Sequence, residues 1–155
     1  MWKLGLAQLF RRLIQKARSR QKTTKPATER TLIMAKRIVI DLSRQLLFAY
    51  DGPQLVYKFD CATGDGKNPT PLGQFQIYQK DRFHFSSQYK VRMDYALFFN
   101  QGIAIHEAVG VMTVSYLKFA GFDSVGSHGC VRLSKDHARM LFEWAPYHTP
   151  VDVQR

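Results

Sequence analysis

From Ile38 to Ile105 the apolar residues come in short β-branched and aromatic runs bounded by turn chemistry, a rhythm that suits strands and little else. Ile38-Val39-Ile40, Leu46-Leu47-Phe48-Ala49-Tyr50 and Leu55-Val56-Tyr57-Lys58-Phe59 are the first three. The last two flank Asp51-Gly52-Pro53, so they predict a hairpin. Gln74-Phe75-Gln76-Ile77-Tyr78 alternates with period two, and Ala96-Leu97-Phe98-Phe99 and Ile103-Ala104-Ile105 predict two strands around Asn100-Gln101-Gly102. One helix has clear limits: it opens at Ser134, a good N-cap, turns Ala138, Leu141, Phe142 and Ala145 inward, and stops at Pro146. Many strands and one helix imply a mainly β domain, its sheets closed or sandwiched to hide their edges. A chain of 155 residues can bury one sizeable core but hardly two, so a single compact domain is expected.

The formal charge of +11 suggests a nucleic-acid binder until it is located along the chain. Residues 1–37 hold eleven Lys and Arg against Glu29 alone, whereas residues 38–155 hold twelve against eleven acids. The folded part is nearly neutral, and no nucleic-acid partner is expected for it. The basic character belongs to a tail, residues 1–36, in front of a domain at 37–155. Within the tail Trp2, Leu6, Leu9, Phe10, Leu13 and Ile14 fall near one face of a helix, with Lys3, Arg11, Arg12, Lys16, Arg18 and Arg20 on the remainder. Such a segment could lie on an anionic membrane surface, its alternative being a poorly ordered extension. No stretch of 18 apolar residues and no cleavable signal is legible. The compartment is left between the cytoplasm or membrane surface and the outside of the cell. Two cysteines, Cys61 and Cys130, are too few for a disulfide framework, and no bridge between them is expected.

Ser127-His128-Gly129-Cys130-Val131-Arg132 lies between a loop and the N-cap of the helix, with glycines that allow a tight turn. Cysteine attacks as thiolate, so a nucleophile needs a base or a positive environment. His106, at the end of the Ile103-Ala104-Ile105 strand, can be the base. Arg132 and the amino end of the helix would lower the thiol pKa and attract an anionic substrate. Taken singly, a buried Cys or His is more often a packing residue. A zinc site from His106, His128 and Cys130 is the rival chemistry, but it lacks a fourth ligand and a paired-ligand spacing, so no metal or cofactor is expected. His84, His137 and His148 are scattered and receive no role.

With its strand-borne histidine, Ser-His-Gly-Cys-Val-Arg resembles the signature of the L,D-transpeptidase catalytic domain, or YkuD, family. Ala62-Thr63-Gly64, Pro69-Thr70-Pro71-Leu72-Gly73-Gln74-Phe75 and Met93-Asp94-Tyr95-Ala96-Leu97-Phe98-Phe99 are similar to further family patterns, so the likeness covers about residues 37–153. The resemblance implies Cys130 as nucleophile and His106 as base, its ring oriented by the backbone carbonyl of Glu107. It makes Ser127, His128 and Gly129 the nucleophile turn, His128 either bracing it or facing the scissile carbonyl as a further catalytic residue, with backbone N–H groups near Gly129 and Cys130 binding the oxyanion. Arg132 would meet a substrate carboxylate, with Ser127, Tyr95 and Glu107 as further substrate contacts.

The implied substrate is a peptidoglycan stem tetrapeptide. The bond between diaminopimelate at position 3 and D-alanine at position 4 is exchanged through a thioester for an amine, giving a 3–3 cross-link, or for water, giving a shortened stem. A monomer is expected. Two other classes compete: a β-rich module that binds peptidoglycan without cutting it, and a protein that binds anionic lipid or nucleic acid through its tail. The presence of both His106 and Cys130 favours catalysis over the first, and the near-neutral domain confines the second to residues 1–36.

Overall fold

The computed structural model describes residues 35–64, 66–108 and 129–155. Residues 1–34 of the tail, Ser127 and His128 lie outside the described residues.

Strands β1 (Lys36–Asp41), β2 (Leu46–Asp51) and β3 (Gln54–Asp60) form a meander whose second turn contains Gly52 at φ 56°. Strand β4 (Gly73–Gln76) stands apart from them until the C-terminal β9 (Pro150–Gln154) inserts between β1 and β4. The five-stranded sheet has order β3-β2-β1-β9-β4, with β9 parallel to β1 and antiparallel to β4. The second sheet holds β5 (Gln79–Ser86), β6 (Val91–Asn100), β7 (Ile103–Glu107) and β8 (Val131–Leu133) in that order. A tight turn joins β6 to β7, with Gln101 and Gly102 both at positive φ, the geometry that matches the twist of a hairpin. Strand β8 runs parallel to β7, with Ile105 opposite Val131 and His106 opposite Arg132.

Helix α1 (Lys135–Trp144) follows β8 directly. Ser134 caps it, its hydroxyl accepting from the His137 N–H, and Ala145 closes it with an N–H donated to the Leu141 carbonyl. The last turn carries no basic residue of its own. Strand lysines supply that charge instead: Lys80 Nζ donates to the Phe142 and Ala145 carbonyls, both at 2.6 Å, and Lys36 Nζ donates to the Trp144 carbonyl at 2.9 Å. These cations meet the negative end of the helix dipole.

One core lies where the sheets and the helix converge. Ile38, Ile40, Leu47, Ala49, Phe59, Val151 and Val153 from the first sheet join Leu97, Phe99, Ile105, Val131 and Leu133 from the second and Ala138, Leu141 and Ala145 from the helix region. Burying each of the larger aliphatic side chains contributes roughly 1.5–3 kcal/mol. The mainly β, sandwiched architecture is as expected. Three strands went unanticipated. Strand β5 carries the charged run Lys80-Asp81-Arg82 and exposes Phe83 and Phe85, β8 is only three residues long, and β9 begins at a proline.

Candidate active site

Strand alternation decides what the second sheet presents on each side. Ile105 points into the core, whereas Ala104 belongs to a smaller cluster with Met93, Ala96 and Phe98, against which Cys130 packs. His106, two residues after Ala104, shares that second side. Cys130 precedes β8 by one residue and lies beside Ala104, whose N–H donates to its Sγ at 3.5 Å. Both chemistry-bearing side chains thus lie on the side of the sheet turned away from the core, His106 on β7 and Cys130 at the entry to β8.

His106 is buried, and its Nδ1 lies 2.7 Å from the Glu107 carbonyl oxygen. A carbonyl only accepts, so Nδ1 carries the proton and Nε2 keeps the lone pair. Burial pushes the imidazole pKa down to about 4, a fall that the bond to Glu107 partly opposes and Arg132 reinforces. The Cys130 thiol moves the other way. Burial raises it above the ordinary value, while the Ala104 N–H and the Arg132 charge only partly offset the rise. The expectation that Arg132 holds the thiol low is therefore corrected, because desolvation outweighs its charge. At neutral pH the two groups stand as thiol and neutral imidazole, which suits a proton transfer made during attack.

The turn before Cys130 rests on the segment that follows β3. Ala62 and Arg132 exchange two backbone hydrogen bonds, at 2.9 and 2.8 Å, which tie this segment to β8. Gly64 and Gly129 touch so closely that a Cβ on Gly64 would lie 3.0 Å from the Gly129 Cα and 2.2 Å from the Asn68 carbonyl oxygen. Gly129 itself has φ 90°, a conformation that glycine adopts without strain. Buried Thr70 accepts from the Gly64 N–H at 2.8 Å and donates its hydroxyl to the Gly129 carbonyl at 2.9 Å. Behind it, Gln45 accepts from the Thr63 N–H at 2.9 Å and donates to the Thr63 hydroxyl at 2.6 Å. Thr70 and Gln45 were not singled out as functional in the sequence. Thr70 stands in the Pro-Thr-Pro signature, but 59 residues separate it from Gly129 and nothing in its neighbourhood announces the contact.

Among the other sequence candidates, Arg132 sits half-buried on β8 beside His106. Tyr95 goes elsewhere. Its ring meets Phe142 of α1 edge-on at 5.9 Å and packs against the main core, on the opposite side of the sheet from Cys130. Its φ of 56° breaks the alternation of β6, so that Met93 and Ala96 share the Cys130 side although three residues apart. Glu107 contributes its carbonyl to His106. The pleat sends its side chain toward the side of Ile105, where burial raises the carboxyl pKa against the pull of Lys135. His84, given no role from sequence, has Nδ1 3.0 Å from an Asp81 carboxylate oxygen and meets Phe98 edge-on. Neither cysteine is in a disulfide; Cys61 is buried. Among the described residues no three His, Cys, Asp or Glu side chains are placed to share a metal ion, and no helix is long and apolar enough to cross a membrane.

No curated protein matches the chain. Solved structures do. An L,D-transpeptidase from Stackebrandtia nassauensis is 26% identical with a TM-score of 0.69 over 78% of this chain and 56% of that one. An L,D-transpeptidase from Mycobacterium tuberculosis H37Rv is 25% identical with a TM-score of 0.63 over 78% and 58%. An L,D-transpeptidase in complex with imipenem is 22% identical with a TM-score of 0.63 over 77% and 59%. The chain thus spans less than two thirds of the length of these relatives. The profile of the L,D-transpeptidase catalytic domain, YkuD, matches residues 35–153. With that match over most of its length, the chain belongs to the L,D-transpeptidase catalytic domain family.

Proposed function

We propose that this domain transfers acyl groups of peptidoglycan stem peptides through Cys130, cleaving between diaminopimelate at position 3 and D-alanine at position 4. The observation that carries the reading is the placing of the Cys130 thiol, against the Ala104 N–H, on the same side of the sheet as an imidazole whose Nδ1 is held by the Glu107 carbonyl. As sulfur attacks the carbonyl carbon, the thiol proton passes to His106 Nε2. Backbone N–H groups at Gly129 and Cys130 receive the oxyanion that forms. Collapse breaks the C–N bond, and the proton on Nε2 goes to the departing D-alanine nitrogen. An amine or water then attacks the thioester, gives its proton to Nε2, and sulfur leaves and recovers it.

Arg132 meets a substrate carboxylate in this scheme, Glu107 acts through its carbonyl, and Ser127 and His128 complete the turn. Tyr95 supports β6 from the core side instead of touching substrate. The catalytic domain begins at Lys36, where β1 starts, one residue before the boundary read from charge, and the residues before it serve location, a division supported by the charge asymmetry and by the span of the family match. Cross-linking and hydrolysis share the same thioester, so both products are expected. Incubation with stem tetrapeptide alone, followed by mass analysis, checks this: tripeptide and 3–3 dimer are the expected products. Dimer without tripeptide would reject the carboxypeptidase half, and neither product would reject the reading.

A further inference from the structure

We infer that Thr70 is a positioning residue for the oxyanion donor: by holding the Gly129 carbonyl it sets the direction in which the Cys130 N–H points. The inference rests on the acyl-transfer reading above and deepens it. The Thr70 hydroxyl has one proton, and the Gly64 N–H occupies it as an acceptor, so that proton is directed to the Gly129 oxygen. The Gly129 carbonyl and the Cys130 N–H belong to one planar peptide unit, and no peptide bond among the described residues is cis. In a trans unit the C=O and N–H point in opposite directions. Drawing the carbonyl oxygen 2.9 Å from Thr70 therefore turns the Cys130 N–H to the side away from Thr70.

The anchor is needed because of where it acts. Glycine crosses between backbone conformations more readily than any other residue, so φ 90° at Gly129 leaves the next peptide plane weakly determined by local sterics. The hydroxyl bond supplies the missing constraint from the far segment. That segment is itself held: Gly64 is packed against Gly129, and Thr63 is fastened to Gln45 in the turn between β1 and β2. The Pro69-Thr70-Pro71 signature thereby acquires a chemical purpose. Its threonine reaches the nucleophile turn, and its prolines restrict the backbone on either side of it.

Two reactions at the same sulfur separate aim from mere structure. Acylation by imipenem attacks a carbonyl and passes through an oxyanion, whereas alkylation by iodoacetamide at a saturated carbon does not. Both are followed by intact mass on the full chain. Thr70→Val and Thr70→Ala, which lack the hydroxyl, should slow acylation by about 10- to 100-fold. Alkylation should change by less than about threefold in both variants, since thiol and base are untouched. Thr70→Ser restores the hydroxyl and should return acylation to within about threefold of the wild type. The inference is overturned if the hydroxyl-free variants acylate at the wild-type rate, if both reactions slow together, if Thr70→Ser does not recover, or if neither Val nor Ala variant folds. Failure of the acyl-transfer reading looks different: the unaltered chain would then be alkylated at Cys130 but take up no imipenem.

Discussion

The two sides of the four-stranded sheet use the same strands for opposite ends. Leu97, Ile105 and Val131 pack a continuous apolar core against the helix and the other sheet, whereas Ala104, His106 and Cys130, each next to one of them in sequence or register, leave a thiol and an imidazole on the other side. Stability is concentrated on the first side and chemistry on the second. What the contrast teaches is that rigidity of the inner side is what makes the outer one accurate. His106 and Cys130 inherit their placement from neighbours that cannot move without opening a cavity.

The sharpest way to break that contrast is one substitution on each side. Cys130→Ala should reduce turnover of tetrapeptide on the order of 10⁴-fold or more. Its effect on stability should stay within about 1 kcal/mol. Leu97→Ala should do the reverse, costing about 2–5 kcal/mol in denaturant unfolding while the folded fraction still acylates. If Cys130→Ala were as destabilising as Leu97→Ala, the two sides would not be separate in function.

His106 belongs to the reactive side yet is buried like a core residue, so it should register in both kinds of measurement. Its pKa of about 4 in the fold lies below the ordinary imidazole value, so the folded state favours the neutral ring. The unfolded chain binds the proton more readily, and stability due to this group is complete above pH 6.5 and lost as pH falls through 4. The loss amounts to roughly 3 kcal/mol at most. His106→Asn, which cannot take up the proton, should flatten this acid limb in unfolding curves recorded from pH 7 to 4, and should abolish tetrapeptide turnover. An unchanged acid limb would show that the ring is not the group responsible.

Smaller effects are expected away from both sides. Lys80→Met removes the ammonium that bonds the Phe142 and Ala145 carbonyls and should cost about 1–2 kcal/mol, with the acylation rate unchanged. A loss of activity without loss of stability would tie the helix end to the site. Starting the chain at Met34 should have the smallest effect of all: equal stability and equal rates on soluble peptide. Failure of the shortened chain to fold would make the tail part of the domain.

The legibility of these features in the sequence follows their range. Ser134, Pro146 and the Asn100-Gln101-Gly102 turn act on their own neighbours, and the helix and the β6–β7 hairpin could be drawn from them. Strand β9 could not, because its place between β1 and β4 depends on partners more than seventy residues away in the chain. The same holds in the site. His106 and Cys130 are visible through residue type and signature, and Glu107 through its adjacency to the histidine. Thr70 and the Ala104 N–H are invisible until the fold brings them to the nucleophile turn. Tyr95 shows the same limit from the other side: its segment is similar to the family pattern, but no local signal announces the positive φ with which its ring meets the helix. The thiol pKa is hidden for a related reason, since a sequence displays the charge of Arg132 and not the burial that outweighs it.

Intact mass of the protein after brief exposure to stem tetrapeptide and acid quench tests the central claim most directly. The wild-type chain should gain the mass of the tripeptide acyl group, released by hydroxylamine as a thioester would be, and peptide mapping should place it on Cys130. Cys130→Ala should gain nothing while remaining folded. Turnover of tetrapeptide by the Cys130→Ala chain, or an acyl group mapped to any other residue, would contradict it.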